Sequence, residues 1–106
     1  MARSEVSRGD IWIVDLGMAQ KPRPAVILSV AFLENERALI TYVPRTTSLR
    51  QTRFEVEHQA RGFDPGSFDA QSIGTIPDAK LVRRISVLDA QTLARVEDAV
   101  RAWLAL

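Results

Sequence analysis

An arginine held between two prolines and a hydroxyl-rich segment further along the chain are the residues best suited to chemistry. Arg23 stands between Pro22 and Pro24 at the start of the apolar run 25–28, and Pro44-Arg45-Thr46-Thr47-Ser48 follows a second apolar run. Proline fixes its own φ and biases the preceding residue toward extended backbone, so Arg23 has little backbone freedom. A guanidinium group held beside hydroxyl groups can bind and polarise a phosphodiester. The pattern therefore indicates chemistry on an RNA backbone.

The distribution of charge supports this hypothesis more than the net charge does. The formal net charge is only +1, but the segment 19–54 carries an excess of four positive charges. Twelve of the fourteen basic residues are arginine, which binds phosphate bidentately and stacks on bases. We predict that the basic and polar residues of this segment contact RNA, namely Lys21, Arg45, Thr46, Ser48, Arg50 and Arg53. The arginine excess alone is equally typical of a well-solvated surface.

The composition excludes several kinds of site. The chain has no cysteine, which excludes disulfides, thiolate metal sites and cysteine nucleophiles. His58 is the one histidine, so a two-histidine acid–base pair within one chain is also excluded. The apolar runs are far shorter than a membrane span, and the N-terminus lacks a signal-peptide apolar region. We therefore expect a single cytoplasmic domain over residues 1–106, with no metal, no cofactor and no membrane contact.

The elements that must position these residues are short strands followed by one helix. A helix is expected over residues 89–104, because Asp89 can act as its N-cap and the apolar residues from Leu93 to Leu104 share one face. Residues 1–7 are expected to be flexible. Short strands at this spacing favour a small barrel or sandwich. The predicted strands cover residues 11–14, 25–30, 39–43 (ended by Pro44), 53–58, 67–73 and 81–88.

The order of several short motifs resembles one protein family. The motifs are, in chain order, Arg8-Gly9-Asp10-Ile11-Trp12 with Asp15-Leu16, Arg23-Pro24 before Val26-Ile27-Leu28, Pro44-x-Thr46-Thr47-Ser48, Phe54-Glu55-Val56, Phe68-Asp69-Ala70-Gln71, and Leu81-x-x-Arg84-Ile85 before the helix. No single motif is specific to one family, but the order and spacing of the motifs, together with a terminal helix, are specific. The chain resembles the MazF/PemK family of toxin ribonucleases from type II toxin–antitoxin modules, from about Arg8 to the C-terminus.

The resemblance implies a mainly β fold, an SH3-like small barrel with a C-terminal helix, acting as a homodimer. It also implies a toxin that cuts single-stranded RNA, mRNA above all, at short specific sequences without a metal ion. Attack by the 2′-hydroxyl would leave a 2′,3′-cyclic phosphate and a 5′-hydroxyl, and a cognate antitoxin would be the protein partner. The catalytic arginine of the family maps to Arg23 and its catalytic hydroxyl to Thr47, with Thr46 one residue away as the alternative. Gln71 is a further candidate for RNA contact.

Two departures from the family pattern concern the general base and the RNA sequence preference. The loop 17–22 is short and carries no acidic residue, and the usual Asp-Gln pair reads Ala70-Gln71 with the carboxylate one place earlier, at Asp69. We hypothesise that Arg23 itself moves protons when substrate excludes water from it. A pH–rate profile that breaks near neutrality would instead indicate His58, for which a structural role at a strand end is expected.

Two other functions remain open from the sequence. A CcdB-type gyrase poison shares the barrel-and-helix fold and acts through its C-terminal residues, here 101–106. Deletion of residues 103–106 would abolish a gyrase poison, whereas Arg23→Ala would abolish a ribonuclease. A plain SH3-like binding module would not arrest growth when expressed.

Overall fold

A computed structural model describes residues 6–17 and 21–106. Residues 1–7 were expected to be flexible. Of these, residues 1–5 lie outside the described ranges, and the Val6 side chain is buried in the core. The elements are β1 (Asp10–Val14), β2 (Arg23–Ile27), β3 (Leu39–Thr46), β4 (Glu55–His58), β5 (Gly66–Asp69), β6 (Gly74–Pro77), β7 (Leu81–Val87) and α1 (Ala90–Leu104), with 3₁₀ turns at Ala70–Ser72 and Asp78–Lys80.

The strands form one antiparallel sheet of seven strands. Its order is β4-β5-β3-β2-β1-β7, and β6 pairs with β3 off this path. The long strand β3 pairs with β2 along one edge and with β6 and then β5 along the other. The sheet is open rather than closed. The predicted fold, mainly β with a C-terminal helix and barrel-like, is confirmed.

Side chains of the sheet alternate between two apolar cores. Val26 and Val43 face one core, which α1 covers with Val96. Ala25 and Ile27 face the other, with Tyr42 and Trp12 among its members. Because strand residues alternate in direction, the unbroken apolar run of β2 supplies both cores at once. Strand β2 is thereby fixed from both sides, and its first residue, Arg23, is fixed with it.

Helix α1 covers the end of the sheet that carries β4. Asp89 caps its N-terminus by accepting a hydrogen bond from the Thr92 N–H at 2.9 Å. Near its C-terminus Trp103 packs edge-on against Phe54, with ring centroids 5.3 Å apart, and 42% of Trp103 remains exposed. No helix in the part of the chain that the structure describes is both long and apolar enough to span a membrane.

Strand β3 runs through Pro44 to Thr46, so the prediction that Pro44 ends it is wrong. The Leu28 N–H bonds the Thr41 carbonyl at 2.9 Å, and hydrogen-bonded pairs alternate along an antiparallel ladder, so Ala25 and Pro44 form a pair without hydrogen bonds. The N–H that Pro44 lacks would point to the other edge of β3. There the pairing with β6 stops at Tyr42 and the pairing with β5 begins at Arg45. Proline at this position therefore costs no ladder hydrogen bond.

The predicted strand 67–73 is also shorter than expected, because Asp69 ends it. The Asp69 carboxylate accepts hydrogen bonds from the Gln71 N–H at 3.1 Å and the Ser72 hydroxyl at 2.9 Å. These bonds favour the 3₁₀ turn over continued strand. The chain then resumes as β6, a strand that the sequence analysis did not predict.

Candidate functional site

A continuous groove lies where β2 begins and β3 ends. Its first pocket, of about 420 Å³, lies between residues 21–24, residues 45–48 and the loop 62–64. Its second pocket, of about 570 Å³, extends along β3 toward the core that contains Tyr42 and Ile27. Arg23, Thr46 and Ser48 line both pockets, so these side chains mark the point where the two meet. We call the two pockets together the groove.

Arg23 is the first residue of β2 and pairs with Val14 of β1. Its side chain is half-buried and lines both pockets. The ion pairs found among the described residues join Arg8 to Glu97, Arg84 to Asp10 and Arg101 to Asp98, and none of them involves Arg23. Because no carboxylate among residues 6–17 and 21–106 pairs with the Arg23 guanidinium, which is held on a rigid strand, its donors can bind a ligand.

The hydroxyl residues at the end of β3 differ in their surroundings. The Thr46 Oγ1 accepts a hydrogen bond from the Ser48 N–H at 3.0 Å, which turns the chain away from the strand. Thr46 is half-buried, whereas Thr47 and Ser48 are exposed along the first pocket. Thr46 therefore shapes the loop, and Thr47 is exposed just beyond it.

A carboxylate missed by the sequence analysis holds the next loop and faces the groove. Glu55 accepts hydrogen bonds from the backbone N–H groups of Arg50, at 3.0 Å, and of Gln51, at 2.7 Å. Gln51 adopts a left-handed φ of 56°, which this pair of bonds supports. Glu55 and Arg50 both line the second pocket, as does Asp69. The sequence predicted a strand over 53–58 that contains Glu55, but only the tertiary structure places Glu55 in the same pocket as Arg23.

Arg45 was predicted to bind RNA, and the structure places it, almost fully buried, in the wall of the first pocket. It is 5% exposed. Its Nε donates to His58 Nδ1 at 2.8 Å, and its Nη2 donates to the carbonyl oxygens of His58 at 2.8 Å and Asp64 at 2.5 Å. Three of its five N–H donors are thus used within the protein. Burial lowers the pKa of Arg45, and Asp64 opposes this shift. Arg45 thus holds the loop after β4 against β3 at the wall of the first pocket.

His58 is the acceptor in this contact and does not line the groove. Its ring is buried against Phe63 and Phe68, at centroid distances of 5.1 and 5.0 Å. Burial and the charge of Arg45 lower the pKa of His58, while Asp89 opposes the shift. The neutral ring therefore offers Nδ1 to Arg45. The geometry supports the expected structural role and leaves Nδ1 unable to act as a base.

Two of the predicted RNA contacts, Arg53 and Gln71, lie away from the groove. The Arg53 guanidinium stacks over the Phe54 ring at 4.6 Å and lies on the side of α1, in a depression with Arg95 and Asp98. Gln71 is exposed on the 3₁₀ turn and lines neither pocket of the groove. The groove does bring together the other candidates, which are Lys21, Arg23, Arg45, Thr46, Thr47, Ser48 and Arg50, with Arg45 buried in its wall.

Tyr42 is a second groove residue that the sequence analysis missed. Tyr42 and Arg23 line the second pocket together. Burial raises the pKa of the Tyr42 phenol, and the positive charge of Arg23 opposes this shift. A Cβ at Gly74 would lie 2.7 Å from the Tyr42 hydroxyl oxygen, so glycine there leaves room for the phenol. Among residues 6–17 and 21–106, no three His, Cys, Asp or Glu side chains are placed to hold a metal ion.

Gly66→Ala is expected to destabilise the fold beneath the groove by about 1–3 kcal/mol, the usual cost of overpacking. A Cβ at Gly66 would lie 2.6 Å from the Thr46 carbonyl oxygen and 2.7 Å from Arg45 Nη1. Because the first of these atoms belongs to the backbone, β3 and β5 would have to separate. Urea denaturation of both proteins measures the effect, and an unchanged midpoint would contradict the close packing of β5 on Arg45.

Comparison with known proteins gives a single family and a consistent fold. Residues 7–104 match the model of the PemK-like, MazF-like toxins of type II toxin–antitoxin systems. The toxin MazF-mt6 of Mycobacterium tuberculosis is 28% identical with a TM-score of 0.78, over 92% of this chain and 97% of that one. A mycobacterial endoribonuclease in complex with its cognate antitoxin is 22% identical with a TM-score of 0.81, over 95% and 96% of the two chains. A MazE–MazF structure from Deinococcus radiodurans is 20% identical with a TM-score of 0.80, over 95% and 96%.

Proposed function

Since this chain belongs to the PemK-like and MazF-like toxins of type II toxin–antitoxin systems, we propose that it is an endoribonuclease that cleaves single-stranded RNA. The observation that carries this proposal is the groove, where the Arg23 guanidinium lacks a carboxylate partner among the described residues and stands beside three hydroxyl side chains. Proteins of similar fold are described as endoribonucleases. Cationic and hydroxyl donors in one groove suit a phosphodiester substrate.

The reaction we propose uses the 2′-hydroxyl of the RNA as the nucleophile. Its oxygen attacks the adjacent phosphorus, the bond to the 5′-oxygen breaks, and the products are a 2′,3′-cyclic phosphate and a 5′-hydroxyl. Such a reaction requires in-line geometry, proton transfer and donors to the charged phosphorane. Arg23 would donate to the non-bridging oxygens. Thr47 is the better candidate for the second donor, because it is exposed in the first pocket whereas Thr46 is half-buried.

The remaining polar residues of the groove would hold the rest of the RNA strand. Lys21 and Ser48 are exposed in the first pocket, and Arg50 lines the second. Contacts from such residues to successive phosphates position a strand without reading its sequence. We place Arg53 and Gln71 outside this set because neither lines the groove.

A cognate antitoxin is the protein partner that membership of a toxin–antitoxin family implies. Structurally similar toxins have been observed bound to antitoxins. We propose that an acidic, apolar segment of the antitoxin lies across the groove and excludes RNA, that the toxin is a homodimer, and that it acts in the cytoplasm. Competition between an antitoxin peptide and an RNA oligonucleotide tests the first point, and simultaneous binding would contradict it.

Digestion of a long, unstructured RNA in the presence of EDTA should give cuts at one short sequence. Mapping of both ends of each product should find a 2′,3′-cyclic phosphate and a 5′-hydroxyl, because the proposed reaction uses no water and no metal ion. Products with a 3′-hydroxyl, or cleavage abolished by EDTA, would contradict the mechanism. Intact RNA from a protein that still arrests growth would favour the gyrase-poison alternative.

A further inference from the structure

An aromatic ring that the proposed mechanism does not use also lines the first pocket. Phe63 belongs to the loop between β4 and β5, which begins with a turn closed by the Phe63 N–H and the Ala60 carbonyl at 3.1 Å. The side chain is half-buried and packs partly on the core that α1 covers. Phe63 also lines the same pocket as Arg23 and Thr47.

The contacts of Phe63 fix the orientation of its ring. The Arg45 guanidinium lies over one face, 4.9 Å from the ring centroid. The His58 ring meets Phe63 edge-on, with the ring planes at 71°. The same guanidinium bonds the carbonyl of the next residue, Asp64, so backbone and ring are held by one side chain. An aromatic ring supported in this way loses little conformational entropy when a ligand stacks on it.

We propose that Phe63 is a stacking site for an unpaired RNA base next to the scissile phosphate, with Arg45 and His58 as positioning residues behind it. The proposal rests on the proposed function, since it assigns a base-binding subsite to the same groove. Single-stranded RNA is recognised by bases that splay out and stack on aromatic side chains. In this pocket the cationic and hydroxyl groups suit the phosphate, and Phe63 supplies the apolar surface that a base requires.

Phe63→Leu separates stacking from packing, because leucine keeps an apolar contact with the core but has no aromatic face. Cleavage of a short oligonucleotide that carries the mapped site should show KM raised about tenfold with kcat within about twofold, the pattern of lost ground-state binding. Phe63→Tyr should restore KM to within about twofold of wild type, since it keeps the ring. Phe32→Leu is the matched control, because Phe32 packs on the other core and does not line the groove.

A direct readout of stacking uses a non-cleavable oligonucleotide in which 2-aminopurine replaces one base at a time. We expect one position beside the blocked cut site to be quenched by wild type and Phe63→Tyr but not by Phe63→Leu. If Phe63→Leu keeps the quenching and the KM of wild type, the stacking site is wrong while the ribonuclease activity stands. If Phe63→Leu weakens only antitoxin binding, the ring serves the protein partner and the proposal is also wrong. If wild type neither binds nor cuts RNA, the proposed function itself fails.

Discussion

Replacing Arg23 with alanine is expected to lower the rate of RNA cleavage by a factor of about 100 to 1,000, the usual effect of removing one donor to a transition-state oxyanion. The side chain is half-buried at the start of a strand that two cores fix, and it enters none of the ion pairs found among the described residues. The free energy of unfolding should therefore change by less than about 0.5 kcal/mol. Single-turnover cleavage in EDTA measures the rate, and urea denaturation measures the stability.

Two further substitutions show whether the effect belongs to the position or to charge in general. Arg23→Lys keeps the positive charge but loses the planar fork, so it should recover only part of the lost rate. Arg53→Ala removes the same charge from the α1 side of the molecule, where Arg53 stacks on Phe54. It should cleave RNA at close to the wild-type rate. Equal losses in Arg23→Ala and Arg53→Ala would contradict the assignment of the groove.

The pH dependence of the same reaction bears on proton transfer. A rate that rises only at high pH would agree with the hypothesis that Arg23 moves protons, whereas a break near neutrality would contradict it. The carboxylates of Glu55 and Asp69 also line the second pocket, so they are further candidates for the base.

The family and the fold could both be predicted from the sequence, because both depend on local patterns that can be recognised without knowing which distant residues are in contact. Runs of β-branched residues indicated most of the strands, and the order of the motifs indicated the PemK/MazF family, which the family model confirms. The predicted strand boundaries were wrong where a single tertiary or local contact determines where the strand ends. Pro44 is tolerated because β3 changes partners beside it, and Asp69 ends β5 by bonding the next turn.

The site was only partly predictable, because three arginines of one segment occupy three different environments. Arg45 is buried in the wall of the first pocket, Arg50 is exposed in the second pocket and Arg53 is beside α1. Their types and spacing are alike in the sequence. What separates them is a partner far along the chain, such as His58 for Arg45 or α1 for Arg53. Arg23 could be identified because the prolines that restrict it are its immediate neighbours.

Arg45→Met is expected to lower the free energy of unfolding at pH 7.5 by about 3 kcal/mol. The substitution keeps much of the apolar stem but removes three hydrogen-bond donors from a buried site. His58 Nδ1 and the carbonyl oxygens of His58 and Asp64 would then lose their partner, and unsatisfied buried acceptors are costly. Urea denaturation measures the change, and a loss below about 1 kcal/mol would contradict a structural role for Arg45.

The cost of Arg45→Met should decrease as the pH falls, because His58 titrates. The pKa of His58 in the folded protein lies below its ordinary value of 6.5, through burial first and the charge of Arg45 second. Between the folded pKa and 6.5 the unfolded chain binds more protons, so wild type loses stability as the pH falls below about 6.5. Protonated Nδ1 is a donor and can no longer accept from Arg45 Nε. Without Arg45 the pKa of His58 lies nearer to 6.5, so the variant should lose less stability over the same range. Parallel stability–pH curves for the two proteins would mean that the contact between Arg45 and His58 does not set the protonation state of the histidine.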